Sequence, residues 1–284
     1  MPGMPHRVAL HWFRKDLRLT DNTALHHAAK EAEQVIPVYI LSTWKKEHAW
    51  TGAKRQHFLC GCLDSLAKNI ESLGSRLIFR AGDACDELKK LIKETGAEAL
   101  YFNRDYDPYG VEMEGRVRAL CDDLGTDCRD FKDRVLHEPD ELLTGEGNGY
   151  KVYTPYSKNW LDQEKPEPLP RVKSLGSPAA KSLSSLPVPT LDHWKLSGDT
   201  SGVIEPGERA ARKRMKDFIE SETLFHYAKQ RDIPSSHGTS RLSQDLRFGL
   251  IGIRELYQRC RETAKGAPKA AKNSVETYIK ELAW

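Results

Sequence analysis

The sequence lacks the features that would send a protein into or across a membrane. No apolar run in its 284 residues approaches the roughly 18–20 residues needed to cross a bilayer. The first residues, MPGMPHRVALHWFRK, have neither the long apolar stretch nor the small-residue cleavage site of a signal peptide. We therefore expect a cytoplasmic protein that is monomeric and has no membrane partner.

Cysteines are few, and no metal-binding spacing is present. The six cysteines form no CxxC pair and have no histidine at ligand spacing: Cys60, Cys62, Cys85, Cys121, Cys128 and Cys260. Scattered cysteines of this kind are typical of reduced thiols in a cytosolic protein. The sequence predicts no metal site.

Short β-rich runs alternate with helical patterns over the first 130 residues. The runs RVALHW (7–12), VIPVYIL (35–41), RLIFR (76–80), EALYFN (98–103) and a short TDCRDF predict strands. Apolar residues at steps of three and four predict helices over 59–73, from 88 to about 96, and over 110–124. Because this alternation requires crossover connections, we predict a doubly wound α/β domain with a parallel sheet over residues 1–134.

The glycine turn of a dinucleotide-binding domain is missing. The first predicted strand continues into HWFRKDLRLTDN, where GxGxxG would be expected. The sheet is therefore Rossmann-like without the usual pyrophosphate-binding turn, which disfavours a nicotinamide-dependent dehydrogenase.

The remainder of the chain divides into a linker and a helical region. Residues 135–200 are assigned to an interdomain linker, because 164–200 is rich in Pro, Ser and Lys and has no sustained period. Residues 201–284 begin helical near Pro206 and are predicted to be all-α. They carry 16 basic and 11 acidic side chains, against 28 and 30 in the rest of the chain. Both a phosphate-binding face and a solvated helix surface are compatible with that surplus.

The segment HGTSRLSQDLRFG (237–249) concentrates hydroxyl and guanidinium groups ahead of a predicted helix. Thr239, Ser240, Arg241 and Ser243 lie within five positions, although a single hydroxyl would suffice to cap the helix. A helix N-terminus with free N–H donors favours an anion, and Gly238 permits close backbone approach. The segment predicts a diphosphate-bearing ligand, with capping as the alternative.

Five motifs along the chain resemble one known family. HWFRKDLRLTDNTAL, NRDYDPYG, GEGNGYKVYTPYSKNW, RDIP with GTSRLS, and NSVETYIKELAW occur in the order seen in the photolyase/cryptochrome family. The sequence resembles class I cyclobutane pyrimidine dimer photolyases most closely, over essentially its whole length. The resemblance implies an antenna pigment in the α/β domain and FAD in the helical domain.

The resemblance also implies which residues bind FAD and DNA. The FAD-binding residues would be Tyr227, Thr239, Ser240, Arg241, Leu242, Ser243 and Tyr278. Tyr278 stands where photolyases commonly carry a tryptophan. Arg231 would meet the DNA backbone, and Glu281 and Trp284 would touch the damaged bases. An aromatic wall such as Trp284 suits a dimer flipped out of the duplex.

For the antenna pigment, the segment 103–110 favours 8-hydroxy-5-deazaflavin over methenyltetrahydrofolate. Tyr109 and Gly110 occupy the places of the Asn–Glu pair of folate-binding relatives, and DPYG resembles relatives that bind the deazaflavin. Ser42 replaces an aspartate common there, and Arg247 stands in place of a lysine. The candidate contacts are Ile40, Leu41, Ser42, Arg55, Asn103, Arg104, Asp105, Tyr106, Asp107, Pro108, Tyr109 and Arg247. Ordinary strand-end loop residues remain the alternative.

The implied activity is light-driven repair of pyrimidine dimers in DNA by electron transfer from reduced FAD. The resemblance implies no general acid, nucleophile or metal in this reaction, so no catalytic side chain is assigned. Relatives continue beyond ELAW through further helices, and we therefore expect the isolated chain to lack part of the FAD surroundings and not to repair DNA alone. A cryptochrome-type photoreceptor, an inactive fragment and a plain nucleotide-binding or electron-transfer flavoprotein are the alternatives.

Overall fold

Five parallel strands form the sheet on which the first half of the chain is built. A computed structural model describes residues 5–42, 52–176 and 179–283. The strands are β1 (His6–Phe13), β2 (Ala32–Ser42), β3 (Ile78–Gly82), β4 (Ala99–Asn103) and β5 (Asp127–Phe131). They lie in the order β3-β2-β1-β4-β5, and every neighbouring pair is parallel. This order confirms the predicted doubly wound α/β fold, with β3 displaced two residues from its predicted start.

The central strands are buried on both faces. Leu10 of β1 and Leu100 of β4 pack on one side of the sheet, and Ala9 and Tyr101 pack on the other. Continuous apolar strands of this kind are typical of a parallel sheet covered by helices. The edge strand β5 is only partly buried and is correspondingly more polar.

Helices cover both faces, and three of them begin where a side chain caps the first turn. They are α1 (Thr23–Glu31), α2 (Ala53–Glu71), α3 (Ala84–Thr95), α4 (Pro108–Leu124) and α5 (Tyr153–Asp162). Asn22, Asp83 and Asp107 accept hydrogen bonds from backbone N–H groups at the starts of α1, α3 and α4. Helix α1 was not predicted, because its short HHAAKE sequence has little apolar stripe.

The C-terminal third is helical, as its sequence predicts. It contains α6 (Glu208–Ile219), α7 (Glu222–Gln230), α8 (Ser243–Arg247), α9 (Ile253–Lys265) and α10 (Lys269–Glu281). Residues 242–262 form parts of two helices and not one continuous helix, because the chain turns between α8 and α9. Gly249 occupies that turn with a φ of +64°, and an added Cβ would lie 2.0 Å from the Lys15 carbonyl oxygen. Only glycine fits there.

The segment between the sheet and the helices packs closely on the α/β domain. Leu175 accepts a hydrogen bond from the Val35 N–H at 2.8 Å, and Val172 donates to Leu19 at 3.0 Å. Two short 3-10 turns follow at Ala179–Ser182 and Leu191–Trp194. The boundaries 1–134, 135–200 and 201–284 stay a prediction. Among the helices of the described ranges, none has the length and apolar character of a transmembrane segment.

Candidate functional site

A cavity of about 520 Å³ opens at the carboxyl edge of the sheet, where the chain leaves the strands. Ligands of doubly wound proteins bind at this edge, close to the point where the strand order reverses. Here that reversal falls between β1 and β4. The lining residues are Trp12, Phe13, Arg14, Lys15, Tyr39, Ile40, Leu41, Ser42, Arg55, Leu59, Ala84, Asp105, Asp107, Pro108, Tyr109, Met113, Trp194, Arg247 and Phe248.

Aromatic and aliphatic side chains make up most of the cavity wall. Trp12 comes from β1 and Tyr39 from β2, and both are buried. Trp194 reaches the cavity from the 3-10 turn before the helical region, and Phe248 follows α8. Burial raises the pKa of the Tyr39 hydroxyl, so that side chain stays neutral. Flat apolar walls and a volume of this size fit a ring-shaped organic ligand.

Paired charges stand on one side of the cavity. The Lys15 ammonium contacts the carboxylates of Asp105 and Asp107. Burial opposes the ionisation of Asp107, but hydrogen bonds from Lys15 and from the Gly110 N–H hold its pKa below the ordinary value. The Arg14 guanidinium lies 4.7 Å from the centre of the Trp12 ring, where a cation–π interaction is expected. These charged groups form one polar side of the otherwise apolar cavity, and their contacts with one another and with Trp12 fix their positions.

Most of the residues expected to contact the antenna pigment line this cavity. Nine do so: Ile40, Leu41, Ser42, Arg55, Asp105, Asp107, Pro108, Tyr109 and Arg247. Asn103, Arg104 and Tyr106 are not among the described lining residues. The Asn103 amide donates to Asp16 at 2.6 Å inside the protein, and Arg104 and Tyr106 both donate to Glu138. All twelve assignments to the pigment stay predictions.

Several residues of the cavity wall were not predicted from the sequence. Arg14 and Lys15 follow β1 directly, so the rule that ligands bind beyond the carboxyl ends of strands was a usable signal for them. Trp194 lies more than 150 residues from β1 and β2 in the chain, and no local pattern links it to their ends. Phe248 directly follows Arg247, one of the residues expected from the sequence to contact the pigment.

The hydroxyl-rich segment lies beside two packed tyrosines. Ser240 hydrogen-bonds to Tyr278, and burial raises the pKa of the Tyr278 hydroxyl. The ring of Tyr227 meets Tyr278 edge-on, with ring centres 5.1 Å apart. Leu242 is buried, whereas the side chains of Thr239, Arg241 and Ser243 are exposed. The residues expected to bind FAD therefore form one continuous region, part core and part surface.

The backbone of this segment approaches α7 closely. A Cβ added to Gly238 would lie 2.5 Å from the Gln230 Cβ, so only glycine fits without a shift. Arg241 adopts a φ of +51°, which is uncommon for a residue with a side chain. The N-cap of α8 is Leu242, and no side chain caps that helix. The capping alternative for the hydroxyl cluster therefore finds no support.

Two of the three residues expected to meet DNA contact each other. The Arg231 guanidinium donates to the Glu281 carboxylate, and that hydrogen bond raises the pKa of Arg231. Arg231 also lies 5.7 Å from the centre of the Tyr227 ring. Trp284 lies outside the described residues. The DNA-binding roles stay predictions, but the pair adjoins the expected FAD region.

A buried charge network joins the motif after β1 to the helical region. Arg18 donates to Asp133 at 2.7 Å, and Arg254 of α9 donates to the same carboxylate at 2.8 Å. Arg254 also contacts Asp21 at 2.7 Å. All four side chains are at most 4% exposed. The sequence HWFRKDLRLTDN therefore fastens α9 to the sheet as well as contributing to the cavity.

Three features define the chain as a ligand-binding α/β domain with a helical extension. They are the order of the strands, the cavity at their carboxyl edge and the buried charge network that joins α9 to the sheet. The DNA photolyase family model matches residues 9–173. A deoxyribodipyrimidine photo-lyase of Synechococcus sp. is 35% identical over 282 residues, which cover 97% of this chain and 58% of the relative. The structure of a bacterial class III photolyase from Agrobacterium tumefaciens superposes with a TM-score of 0.87 at 32% identity, covering 99% of this chain and 58% of that one.

The chain belongs to the DNA photolyase family. It spans somewhat more than half the length of those two photolyases. It also matches a 31.6 kDa uncharacterised protein of another Synechococcus strain at 31% identity, over 99% of both chains. The expected family membership is thus confirmed.

Proposed function

We propose that this chain holds a light-absorbing pigment in the cavity and FAD at the segment 238–243, in the service of light-driven repair of pyrimidine dimers in DNA. The cavity at the carboxyl edge of the sheet is the observation that carries the proposal. It has the volume of a small-molecule site and aromatic walls, and it lies at the switch point of the fold. The photo-lyase relative supports the repair activity.

The cavity fits a tricyclic pigment, for which we favour 8-hydroxy-5-deazaflavin. Its ring would lie against Ile40, Leu41 and Trp194, which exclude water from the pigment. The Lys15 group and its two aspartates supply polar contacts to the ring edge. A pigment held in this way would supply light absorption and energy transfer to FAD. The protein's contribution is to fix the position of the pigment and its surroundings.

The segment 238–243 offers the donors that a diphosphate requires. Thr239 and Ser243 present exposed hydroxyls, and Arg241 presents an exposed guanidinium. The uncapped start of α8 adds backbone N–H groups. Bound and reduced, FAD would supply the electron that opens the dimer and would take it back after the ring opens, so that the reaction is redox-neutral. Tyr227 and Tyr278 would keep water from one side of the cofactor.

Binding of DNA would act on the pair between Arg231 and Glu281. Both side chains are about one-third exposed, so a phosphate can compete for the guanidinium. If the Arg231 guanidinium turned towards a phosphate of the DNA backbone, the Glu281 carboxylate would become available for a hydrogen bond at a base edge. The basic surplus of residues 201–284 supports a DNA-facing role for this part of the chain.

The test is reconstitution of the protein with FAD and 8-hydroxy-5-deazaflavin, followed by irradiation with a thymine-dimer oligonucleotide. The proposal expects two separate absorption contributions. Light-dependent loss of the dimer would show repair by this chain and would contradict the expectation that it does not repair DNA alone. A protein that binds neither pigment would contradict the proposal.

Two variants separate the sites. Ala84→Trp fills the cavity wall at the start of α3, and we expect it to abolish the antenna band and leave the flavin band. Thr239→Ala combined with Ser243→Ala should do the reverse. Ala119→Trp on the exposed side of α4 is the matched control for the first variant.

A further inference from the structure

A second, smaller cavity is lined by α9 and by the segment that follows α5. We call it the α9 groove; its volume is about 230 Å³. In the described part of the chain, none of the residues assigned to pigment, FAD or DNA lines it. Three of its side chains are basic and two are acidic. The lining residues are Lys165, Pro166, Glu167, Tyr257, Gln258, Arg261, Glu262 and Lys265.

Lys165 is held beside this groove by the end of α5. Its Nζ donates to the carbonyl oxygens of Trp160 and Gln163, the latter at 2.7 Å. The same nitrogen lies 4.2 Å from the centre of the Trp160 ring and 5.7 Å from the centre of the Tyr257 ring. An ammonium has three N–H donors and a neutral amine has two. Lys165 can therefore lose a proton and keep both hydrogen bonds.

The surroundings of Lys165 favour the neutral amine near physiological pH. Burial and, to a smaller extent, the positive charge of Arg261 lower its pKa to about 8, although the charge of Asp162 opposes this change. Burial also lowers the pKa of the nearby His137, and the charge of Lys165 adds to that effect. A partly desolvated lysine beside another cation is a setting in which the amine becomes nucleophilic.

We propose that Lys165 is acylated by small acyl phosphates that bind in the α9 groove. The Nζ lone pair attacks the carbonyl carbon of the reagent and forms a C–N bond. The C–O bond to the phosphate breaks, and inorganic phosphate leaves with that electron pair while the amine proton passes to water. The products are N-acylated Lys165 and phosphate, with no change of oxidation state.

The groove favours a small reagent that carries one phosphate. Arg261 and Lys265 are exposed and lie one turn apart on α9, where both can donate to phosphate oxygens. Glu167 and Glu262 line the same groove and would repel a larger polyanion. Acylation removes the positive charge of Lys165 and leaves two basic and two acidic side chains around the groove.

The experiment incubates the purified protein with acetyl phosphate and follows the acetylated peptides by mass spectrometry. Lys68 is the internal control, because it is exposed and its hydrogen bond to Asp64 raises its pKa. At pH 8 we expect Lys165 to react roughly tenfold faster than Lys68, because a far larger fraction of Lys165 is the free amine. The rate at Lys165 should level off above its pKa, whereas the rate at Lys68 should still rise.

Two variants test whether the groove binds the phosphate. Arg261→Gln and Lys265→Gln should each slow acetylation of Lys165 by acetyl phosphate about threefold relative to acetylation by p-nitrophenyl acetate, which is uncharged. The ratio between the two reagents removes any effect of the variant on the pKa of Lys165. Arg209→Gln, at an exposed arginine of α6 that does not line the groove, is the matched control.

The inference is supported if Lys165 reacts faster than Lys68 and the reagent ratio falls in both glutamine variants. Acetylation of Lys165 no faster than that of Lys68 would overturn it, because the amine would not be activated. Faster acetylation with a reagent ratio that neither variant changes would also overturn it, because the groove would not bind the phosphate.

Discussion

Removing the charge of Asp133 should destabilise the protein more than any exposed charge substitution. Its carboxylate is fully buried and accepts hydrogen bonds from Arg18 at 2.7 Å and Arg254 at 2.8 Å. The Thr23 N–H and hydroxyl donate to it as well, at 3.0 and 2.9 Å. Asp133→Asn leaves two buried guanidinium groups short of a counter-ion. Breaking a buried pair in this way costs about 3–5 kcal/mol of the free energy of unfolding.

The pH dependence of that loss provides a second readout. Burial alone would raise the pKa of Asp133, but Arg18 and Arg254 lower it from 3.8 to about 2. A lowered folded-state pKa stabilises the protein above the unfolded value and is lost as the pH falls through the folded value. About 1 kcal/mol of the wild-type advantage over Asp133→Asn should therefore disappear between neutral pH and about pH 3.

Urea unfolding followed by circular dichroism measures both effects. Asp64→Asn is the control, because Asp64 forms only an exposed pair with Lys68 at 2.6 Å. That variant should lose less than about 0.5 kcal/mol. An Asp133→Asn protein within 1 kcal/mol of wild type, or a difference that does not shrink in acid, would refute this view of the network.

Two further predictions concern Gly249, in the turn between α8 and α9, and His11, in strand β1. Gly249→Ala should lower the free energy of unfolding by about 3 kcal/mol, because its Cβ would overlap the Lys15 carbonyl, whereas Gly74→Ala, also at positive φ but in open space, should lose about 1 kcal/mol. Comparable losses in urea unfolding would contradict the close approach. Burial lowers the pKa of His11 to about 3 despite the nearby charge of Asp133, so its NMR signals should not titrate between pH 5 and 8. Because unfolded histidine gains a proton near pH 6.5, His11 should lower stability by about 2 kcal/mol between pH 7 and 5. A His11 midpoint near 6.5 would contradict its burial.

The sheet could be predicted because its signals are local. The β-rich runs 7–12, 35–41 and 98–103 are buried on both faces, and strands of this kind require continuous apolar sequence whatever their neighbours. Helix α3 ends at Thr95, and Gly96 follows it in the left-handed conformation, as the position of this glycine after the apolar stripe predicts. Helix α8 was harder to predict from the sequence, because its five residues carry no complete apolar period.

Residues of the site could be predicted from the sequence only where they lie at or just after the end of a strand. Ile40 and Leu41 line the cavity because β2 ends there, and Asp107 lines it because it caps α4 after β4. Trp194 and the contact of Arg254 with Asp133 depend on how distant segments pack, which no single-sequence pattern encodes. Arg104 shows the converse: it adjoins predicted contacts, yet its side chain pairs with Asp130 and Glu138 instead.

A crystal structure of the protein reconstituted with 8-hydroxy-5-deazaflavin would test the central claim most directly. We expect the ring to lie in the cavity at the carboxyl edge of the sheet, against Leu41 and Trp194. A ring bound elsewhere, with this cavity filled only by water, would contradict the account.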